Sequence, residues 1–469
     1  MQTYVYNRSH VRGLTPNPPV PIPDGLPFVL DDEMRPVEDL NAWLRSLRGR
    51  GCHSPRTWTG YADDVLAWAR FLQSRDRWLF DDLDSLKDAV SDYREVRLQG
   101  DADEVFQVVG ASAWNRAVSA MENFYGWAVE VGKISAPPFN YKVLRLPRYQ
   151  RSSDTLKLNL ARAKPGSPLA TLRHLDGDYA DMFIAVGLGG ATPTGQPDDD
   201  FRGRLATRNR AMGELVRRSG LRRQEFSNLL VWEVPQPAGP FQDHISLPVP
   251  QKIAKGARAR TTWITSTALE AVTDYVSLER PLHTDGSSWM PQRPLMVTDA
   301  TRDGGTINGR WVRWSHLTIP QRRRLVAPDG GSGLLFVRST GAPVSESNWR
   351  YTFNTAADRC RQFDTDFPTV TPHMLRHTFA VETLNELTRG ALARAERLAE
   401  LSGADPLLIA ILRRKDPLLI LRDLLGHRSL QTTEVYLALQ DPARILTDAE
   451  IERLAEEEDF DAADLAGAS

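Results

Sequence analysis

Apolar residues recur three and four positions apart through much of this chain, and glycine or proline stands where that rhythm breaks. Leu40, Trp43, Leu44 and Leu47 form the first stripe, ended by Gly49 and Gly51. Ser54-Pro55 then offers a helix start, and Trp58, Tyr61, Val65, Trp68 and Leu72 continue the pattern. A third helix is expected over Leu83 to Leu98. A fourth runs from Ser112 to Gly132, with Trp114, Val118, Met121, Tyr125 and Ala128 on one face. Residues 35–135 thus read as an all-α unit whose core holds Trp43, Trp58, Trp68, Trp114 and Trp127. Residues 1–34, rich in proline and without a period, read as an extended arm.

The rhythm is lost over residues 136–170, an irregular basic stretch expected as an inter-domain linker, where Lys142 and Arg145 could follow a phosphate backbone. A second domain is expected over 171–447. Its helices fall at Asp178 to Gly187 and at 205–219, closed by Gly220. Alternating residues then predict strands at His244 to Val249 and Thr261 to Thr265. They form a hairpin whose tip and returning limb carry Lys252, Lys255, Arg258 and Arg260. Helices follow from Thr267 to Glu279 and from Ser347 to Gln362, with a strand at Leu334 to Val337 between them and a loop-rich stretch over 281–333. Near the end, Asp416 caps a leucine-striped helix with Pro417 in its first turn, and Gly426 stops it. His427 comes next, and Tyr436 lies nine residues beyond it, past a short helix starting at Ser429 or Thr432.

Charge modifies this picture. The formal net charge is −2, but residues 448–469 hold nine carboxylates and one arginine, Arg453. With the tail at −8 the remainder is +6, and its basic residues cluster at Arg217 and Arg218, Arg222 and Arg223, Lys252 to Arg260, and Arg322 to Arg324. Such clusters suit phosphates, and solvated faces look the same. Two distant cysteines, Cys52 and Cys360, lack metal-site or redox spacing and point to a reduced, cytoplasmic setting. No signal-like or membrane-spanning apolar run is found. Asp198 to Asp200 sit in a loop without partner carboxylates at fixed spacing, so no metal is expected there.

The chemistry gathers at Thr371 to Thr378. Thr371 caps a helix with Pro372 in its first turn, and His373 and Arg376 lie three apart on one face. An imidazole and a guanidinium beside the free amides of a helix N-terminus make a phosphate site. Four further elements recur in order: Gly220-Leu221-Arg222-Arg223-Gln224-Glu225, Ala254-Lys255-Gly256, Leu425-Gly426-His427, and Thr432-Thr433-Glu434-Val435-Tyr436. With His373-Met374-Leu375-Arg376-His377-Thr378 they resemble the motifs of the tyrosine recombinases, or phage-integrase family. The N-terminal helical unit is similar to that family's core-site-binding domain in the spacing of Thr57 to Tyr61 and in the 112–134 stretch. Ala254 departs from the family's glycine, which leaves Lys252 as the fallback for Lys255. The stretches near 281–333 and 385–415 are longer than the family needs and read as insertions, the second of them helical.

The resemblance implies a SAM-like helical bundle followed by a mixed α+β, mainly helical catalytic domain of the DNA breaking-rejoining type. It implies Tyr436 as nucleophile and a 3′-phosphotyrosyl intermediate. Arg222 and Arg376 would hold the phosphate, His373 and His427 would add hydrogen bonds or move protons, and Lys255 would act as general acid. Glu225 would be a buried support for Arg222, and His377 is read as structural. No cofactor is expected. The implied partners are double-stranded DNA with specific recombination sites, a tetramer in the synaptic complex and a directionality factor. A type IB topoisomerase-like enzyme and a catalytically silent DNA-binding protein of the same fold are the alternatives.

Overall fold

A computed structural model describes residues 1–7, 22–100, 106–144, 156–164, 173–236, 244–402 and 416–439. The chain divides into two compact units, Met1–Ser167 and Pro168–Ser469. No described helix is long and apolar enough to cross a membrane.

In the first unit the four expected helices form: α1 (Glu38–Ser46), α2 (Pro55–Gln73), α3 (Leu83–Gln99) and α4 (Ala111–Glu130). Their apolar stripes meet in one core, in which all five expected tryptophans are buried. Buried polar edges are matched as they must be: Trp68 Nε1 donates to Tyr125 Oη at 2.9 Å, and Trp114 Nε1 to the Ala161 carbonyl at 2.8 Å. The N-terminal arm is more ordered than its proline content predicts. Strand β1 (Gln2–Val5) pairs antiparallel with β2 (Pro27–Leu30), and the buried Asn41 side chain bonds both main-chain groups of Val29 at 2.7 and 2.8 Å. Residues 8–21 lie outside the described residues.

The stretch expected as a linker also carries structure. Strands β3 (Tyr141–Leu144) and β4 (Leu156–Asn159) pair antiparallel, and Asn159, Arg162 and Ala163 tie the chain back to Glu122 and Asn115 of α4. Polar side chains of α4 supply that anchoring, and hydrophobic periodicity is silent about them. Lys142 is exposed on β3, and Arg145 lies outside the described residues.

The second unit is built around the helix Ala206–Ser219, with Met212, Leu215 and Val216 in its main core. The helix Gly177–Met182 continues as a π turn, Phe183–Leu188, packed on the helix Glu346–Cys360. The hairpin forms close to the expected limits, as β5 (His244–Val249) and β6 (Arg260–Thr265). The helix after it, Ser266–Asp274, runs on as a π turn through Glu279. The expected strand at Leu334 to Val337 makes only isolated bridges, Leu230 to Leu334 and Val337 to Pro343.

The 281–333 stretch, expected as loop-rich, also carries regular structure between its loops. It forms a four-stranded sheet in the order β10 (Leu325–Val326), β7 (Leu295–Ala300), β8 (Gly304–Ile307), β9 (Arg310–Arg313), over a small core of Val297, Ile307, Trp314 and Leu325. Arg322, read as part of a basic cluster, is buried in this element, pairing with Glu233 at 2.6 Å and donating to the Trp314 carbonyl at 2.7 Å. Arg217 also turns inward, to Glu382 and Asp181. The first half of the 385–415 insertion prolongs the Arg376 helix, which spans Pro372–Ser402. Residues 403–415 and the acidic tail lie outside the described residues.

Candidate active site

Two helix ends converge on one arginine. The helix Ala206–Ser219 stops at Gly220 in the left-handed region (φ 61°), and the helix Pro417–Leu425 stops the same way at Gly426 (φ 65°). A Cβ at Gly220 would sit 2.4 Å from the Phe379 ring, and one at Gly426 would sit 2.7 Å from Arg260 Cδ, so both turns require glycine. These terminations aim the carbonyls of Gly220 and Leu425 at Arg376, which donates Nη1 to the first and Nη2 to the second, the latter at 2.6 Å. Arg376 is 1% exposed. Burial, and then the nearby Arg222, push its pKa down to about 9. Among the described residues it has no carboxylate in ion-pair contact, and a phosphate would supply the missing counter-charge.

Arg222 comes two residues after Gly220 and caps the short helix Arg223–Phe226. Its main-chain N–H donates to Glu225 Oε2 at 2.8 Å and its Nη1 to Glu225 Oε1 at 3.2 Å. Glu225 is fully buried, as expected of a support, but its principal partner is Arg260. That guanidinium grips both carboxylate oxygens at 2.7 Å and also donates Nε to the Leu424 carbonyl at 2.9 Å. Burial opposes charge on Glu225, yet Arg260, the Arg222 amide and Arg376 outweigh it and hold the carboxyl below its usual value. Arg260, expected on a DNA-contacting limb, is thus engaged inside the protein. It stands on β6 opposite Val249 and turns toward Glu225, while Arg258 and Lys252 are exposed.

Lys255 is exposed at the hairpin tip, in a loop held to the Arg222 segment by Gln224 Nε2, which donates to the Ile253 carbonyl at 2.9 Å. His373, at the start of the Arg376 helix, is held below its ordinary pKa by desolvation first and then by Arg376, Arg222 and Lys255, which puts all three cations within its electrostatic reach.

His427 closes the ring. Its Nε2 lies 3.5 Å from Arg376 Nη2, which can only donate, so Nε2 is the acceptor; Nδ1 then carries the proton and donates to Thr433 Oγ1 at 3.0 Å. Tyr436, just past the short helix Gln431–Glu434, is 2% exposed among Phe379, Leu421 and Leu425. Its Oη lies 2.7 Å from His377 Nδ1. Burial pushes the phenol up to about 12, against the pull of Arg376 and Arg222. His377, read from the sequence as structural, is the side chain in contact with the candidate nucleophile. The signal was its place four residues after His373, on the same helix face; the two rings lie 4.3 Å apart.

Burial, with the neighbouring cations and His373, pushes His377 and His427 down to about 3, so both rings are neutral near neutrality. Between about 3 and the free value of ~6.5 the unfolded chain binds the extra protons. Stability is therefore full above ~6.5 and is lost as pH falls. Thermal melts from pH 8 to pH 4.5 are expected to show the second unit losing stability on acidification, with a shallower loss in His377→Asn/His427→Asn. Equal slopes for both proteins would contradict the assignment.

Asp198 pairs with Arg359, and among the described residues no group of three His, Cys, Asp or Glu side chains could hold a metal ion.

Comparison with known proteins finds matches in both units. The pattern of the phage integrase family matches residues 198–388, and that of the phage integrase N-terminal SAM-like domain matches residues 40–132. No curated protein matches the chain. Similar solved structures include the XerH site-specific recombinase bound to its palindromic difH substrate, at 13% identity and TM-score 0.47, covering 92% of this chain and 89% of that one. Another is the Tn1549 transposon integrase in complex with circular intermediate DNA, at 15% identity and TM-score 0.46, covering 89% and 98%. A third is the XerA recombinase, at 16% identity and TM-score 0.32, covering 90% and 98%. The two family matches lie one in each unit and together span well over half of the sequence, in the order that the helical bundle and the arginine-centred site require: the chain belongs to the phage integrase family, the tyrosine-type site-specific DNA recombinases.

Proposed function

We propose that this recombinase cleaves and rejoins duplex DNA with Tyr436 as nucleophile and Arg222, Lys255, His373, Arg376 and His427 around the scissile phosphate. The observation that carries the assignment is Arg376: a buried guanidinium that donates to two main-chain carbonyls and toward His427 Nε2, is in ion-pair contact with no carboxylate among the described residues, and has Arg222 and Tyr436 within its electrostatic reach. Two guanidiniums match the two non-bridging oxygens of a phosphodiester and stabilise the charge that grows on them in the transition state.

Tyr436 Oη forms the bond to phosphorus as the bond to the 5′-oxygen breaks. His377 Nδ1, 2.7 Å from the phenolic oxygen, is the nearest group to take up the phenolic proton, a role that requires the negative charge of a bound phosphate to restore the basicity that burial and the neighbouring cations take from the ring. Lys255, on its exposed loop, delivers a proton to the departing oxygen, and His373 and His427 add hydrogen bonds. Attack by a 5′-hydroxyl of the partner strand reverses the sequence. The ester keeps the bond energy, so the reaction needs neither nucleotide nor metal. In this reading the chain works in the cytoplasm on two recombination sites held by a tetramer, with a directionality factor setting the outcome.

Incubation with a nicked suicide duplex in EDTA is expected to give an SDS-resistant protein–DNA adduct with a 3′-phosphotyrosyl link. Strict dependence of adduct formation on Mg²⁺ would sink the proposal. A topoisomerase would instead relax supercoiled plasmid without joining two sites.

A further inference from the structure

The 281–333 sheet gives this chain a surface that the catalytic constellation does not use. Strand β9 is its outer edge, and Arg310, Trp311 and Arg313 are all exposed, Trp311 at 51%. Across from it, Pro248 and Pro250 form the base of the hairpin loop that carries Lys252 and Lys255. A cleft of about 540 Å³ separates the two, lined by Arg302, Trp311 and Arg313 on the sheet side and by Pro248 and Pro250 on the hairpin side.

The charge in this cleft is uncommitted. Among the described residues none of Arg302, Arg310 and Arg313 is paired with a carboxylate. Of the two acidic side chains at the cleft, Glu233 is already held by Arg322, which leaves Asp303. From Arg293 to Arg324 the sequence holds seven arginines and two aspartates; with Arg322 set against Glu233, six arginines still face two aspartates, so this stretch is more basic than the chain as a whole, whose net charge is −2. An exposed edge strand invites strand addition, and natural edges are protected by charge. Protection alone would not require a half-exposed tryptophan between the arginines. That combination, a flat aromatic flanked by forks, is what a nucleic-acid backbone meets in a binding groove.

We infer that the β9 edge and its cleft are a second DNA-contacting surface, which extends the grip of the catalytic unit from the Lys255 loop onto the duplex flanking the cleaved phosphate. The inference rests on the DNA-cleaving reading above, and it names the flanking duplex as occupant because the surface is basic and its hairpin wall, Pro248 and Pro250, immediately precedes in sequence the loop proposed to reach the scissile bond. Arg302, Arg310 and Arg313 neutralise phosphates, and Trp311 lies against sugar or base edges.

The test is binding of the full chain to random-sequence duplexes, about 20 and about 50 base pairs long, over a range of salt concentrations; each phosphate contact adds roughly 0.9 to the slope of log K against log salt. Arg302→Ala/Arg310→Ala/Arg313→Ala is expected to lower that slope by about 2–3 on the long duplex. It is expected to change it little on the short one, and to leave the melting temperature and the adduct yield at saturating DNA unchanged. Trp311→Ala is expected to weaken binding to the long duplex without changing the slope. If the wild-type slope is normal and the triple variant keeps it on both duplexes, the edge is not a DNA surface and only this inference falls. If the variant keeps the slope but loses self-association in sedimentation, the edge is an interface between copies and the inference is likewise overturned. If wild-type chain shows no salt-dependent binding to either duplex, the DNA-cleaving reading itself fails.

Discussion

Tyr436→Phe is expected to bind DNA as the wild type does and to form no covalent adduct on a nicked suicide substrate. The ring is 2% exposed and packs against Phe379, Leu421 and Leu425, so phenylalanine fills the same space and loses only the oxygen. One hydrogen bond goes with it, that to His377, at a cost of about 1 kcal/mol in stability. No other hydroxyl in the assigned set can replace it. The flanking Thr432 and Thr433 are short, and Thr433 Oγ1 already serves His427. A gel-shift titration paired with SDS gels of the same reactions checks both halves. Adduct at the wild-type rate would show that another side chain attacks.

A large stability effect is expected at Arg260. Its guanidinium holds both oxygens of Glu225, which has no contact with solvent, and Arg260→Ala leaves that carboxylate with only the Arg222 contacts. Breaking one side of a buried pair costs about 3–5 kcal/mol. The loss includes the bond to the Leu424 carbonyl, which ties β6 to the helix preceding His427. Activity is expected to fall with stability, since Glu225 also positions Arg222. Arg258→Ala, two residues away and exposed, is expected to leave the melting transition unchanged and only to weaken DNA binding. An Arg260→Ala protein that melts with the wild type would return Arg260 to the DNA-contacting limb where its sequence neighbourhood suggested it belonged.

Much of this architecture was legible in the sequence because amphipathic helices announce their faces. Trp43, Trp68 and Trp114 fell into the core as their spacing required, and Gly220 and Gly426 marked helix ends that are indeed left-handed. The order of the motifs located Arg222, Arg376, His427 and Tyr436 well enough that the fold brings them to one place. What escaped reading was long-range pairing of polar groups. Arg260 is one of several cations in a basic run, and nothing local says that its carboxylate lies 35 residues upstream. Asn41 looks like an ordinary helical polar residue, yet it completes the hydrogen bonding of Val29. The insertion sheet was missed because β8 and β9 are four residues each and β10 is two, too short for an alternating pattern, and because β10 joins β7 in parallel from across the intervening hairpin. The contact of His377 with Tyr436 was not legible because it depends on where a tyrosine 59 residues later comes to rest.

The two carbonyls that receive Arg376 link occupancy of the site to the freedom of the arm that bears the tyrosine. One acceptor belongs to Gly220, in the body of the unit, and the other to Leu425, on the arm. Moving the arm away takes an acceptor from a buried cation, which is costly while nothing else can accept. A phosphate oxygen is such an acceptor, so if the scissile phosphate binds Arg376 as proposed, it would lower the cost of releasing the arm, and by reciprocity a released arm would favour DNA. On the proposed reading of the site, Arg376 would act as a thermodynamic latch: its bond to the Leu425 carbonyl would hold the arm until a phosphate oxygen took that acceptor's place.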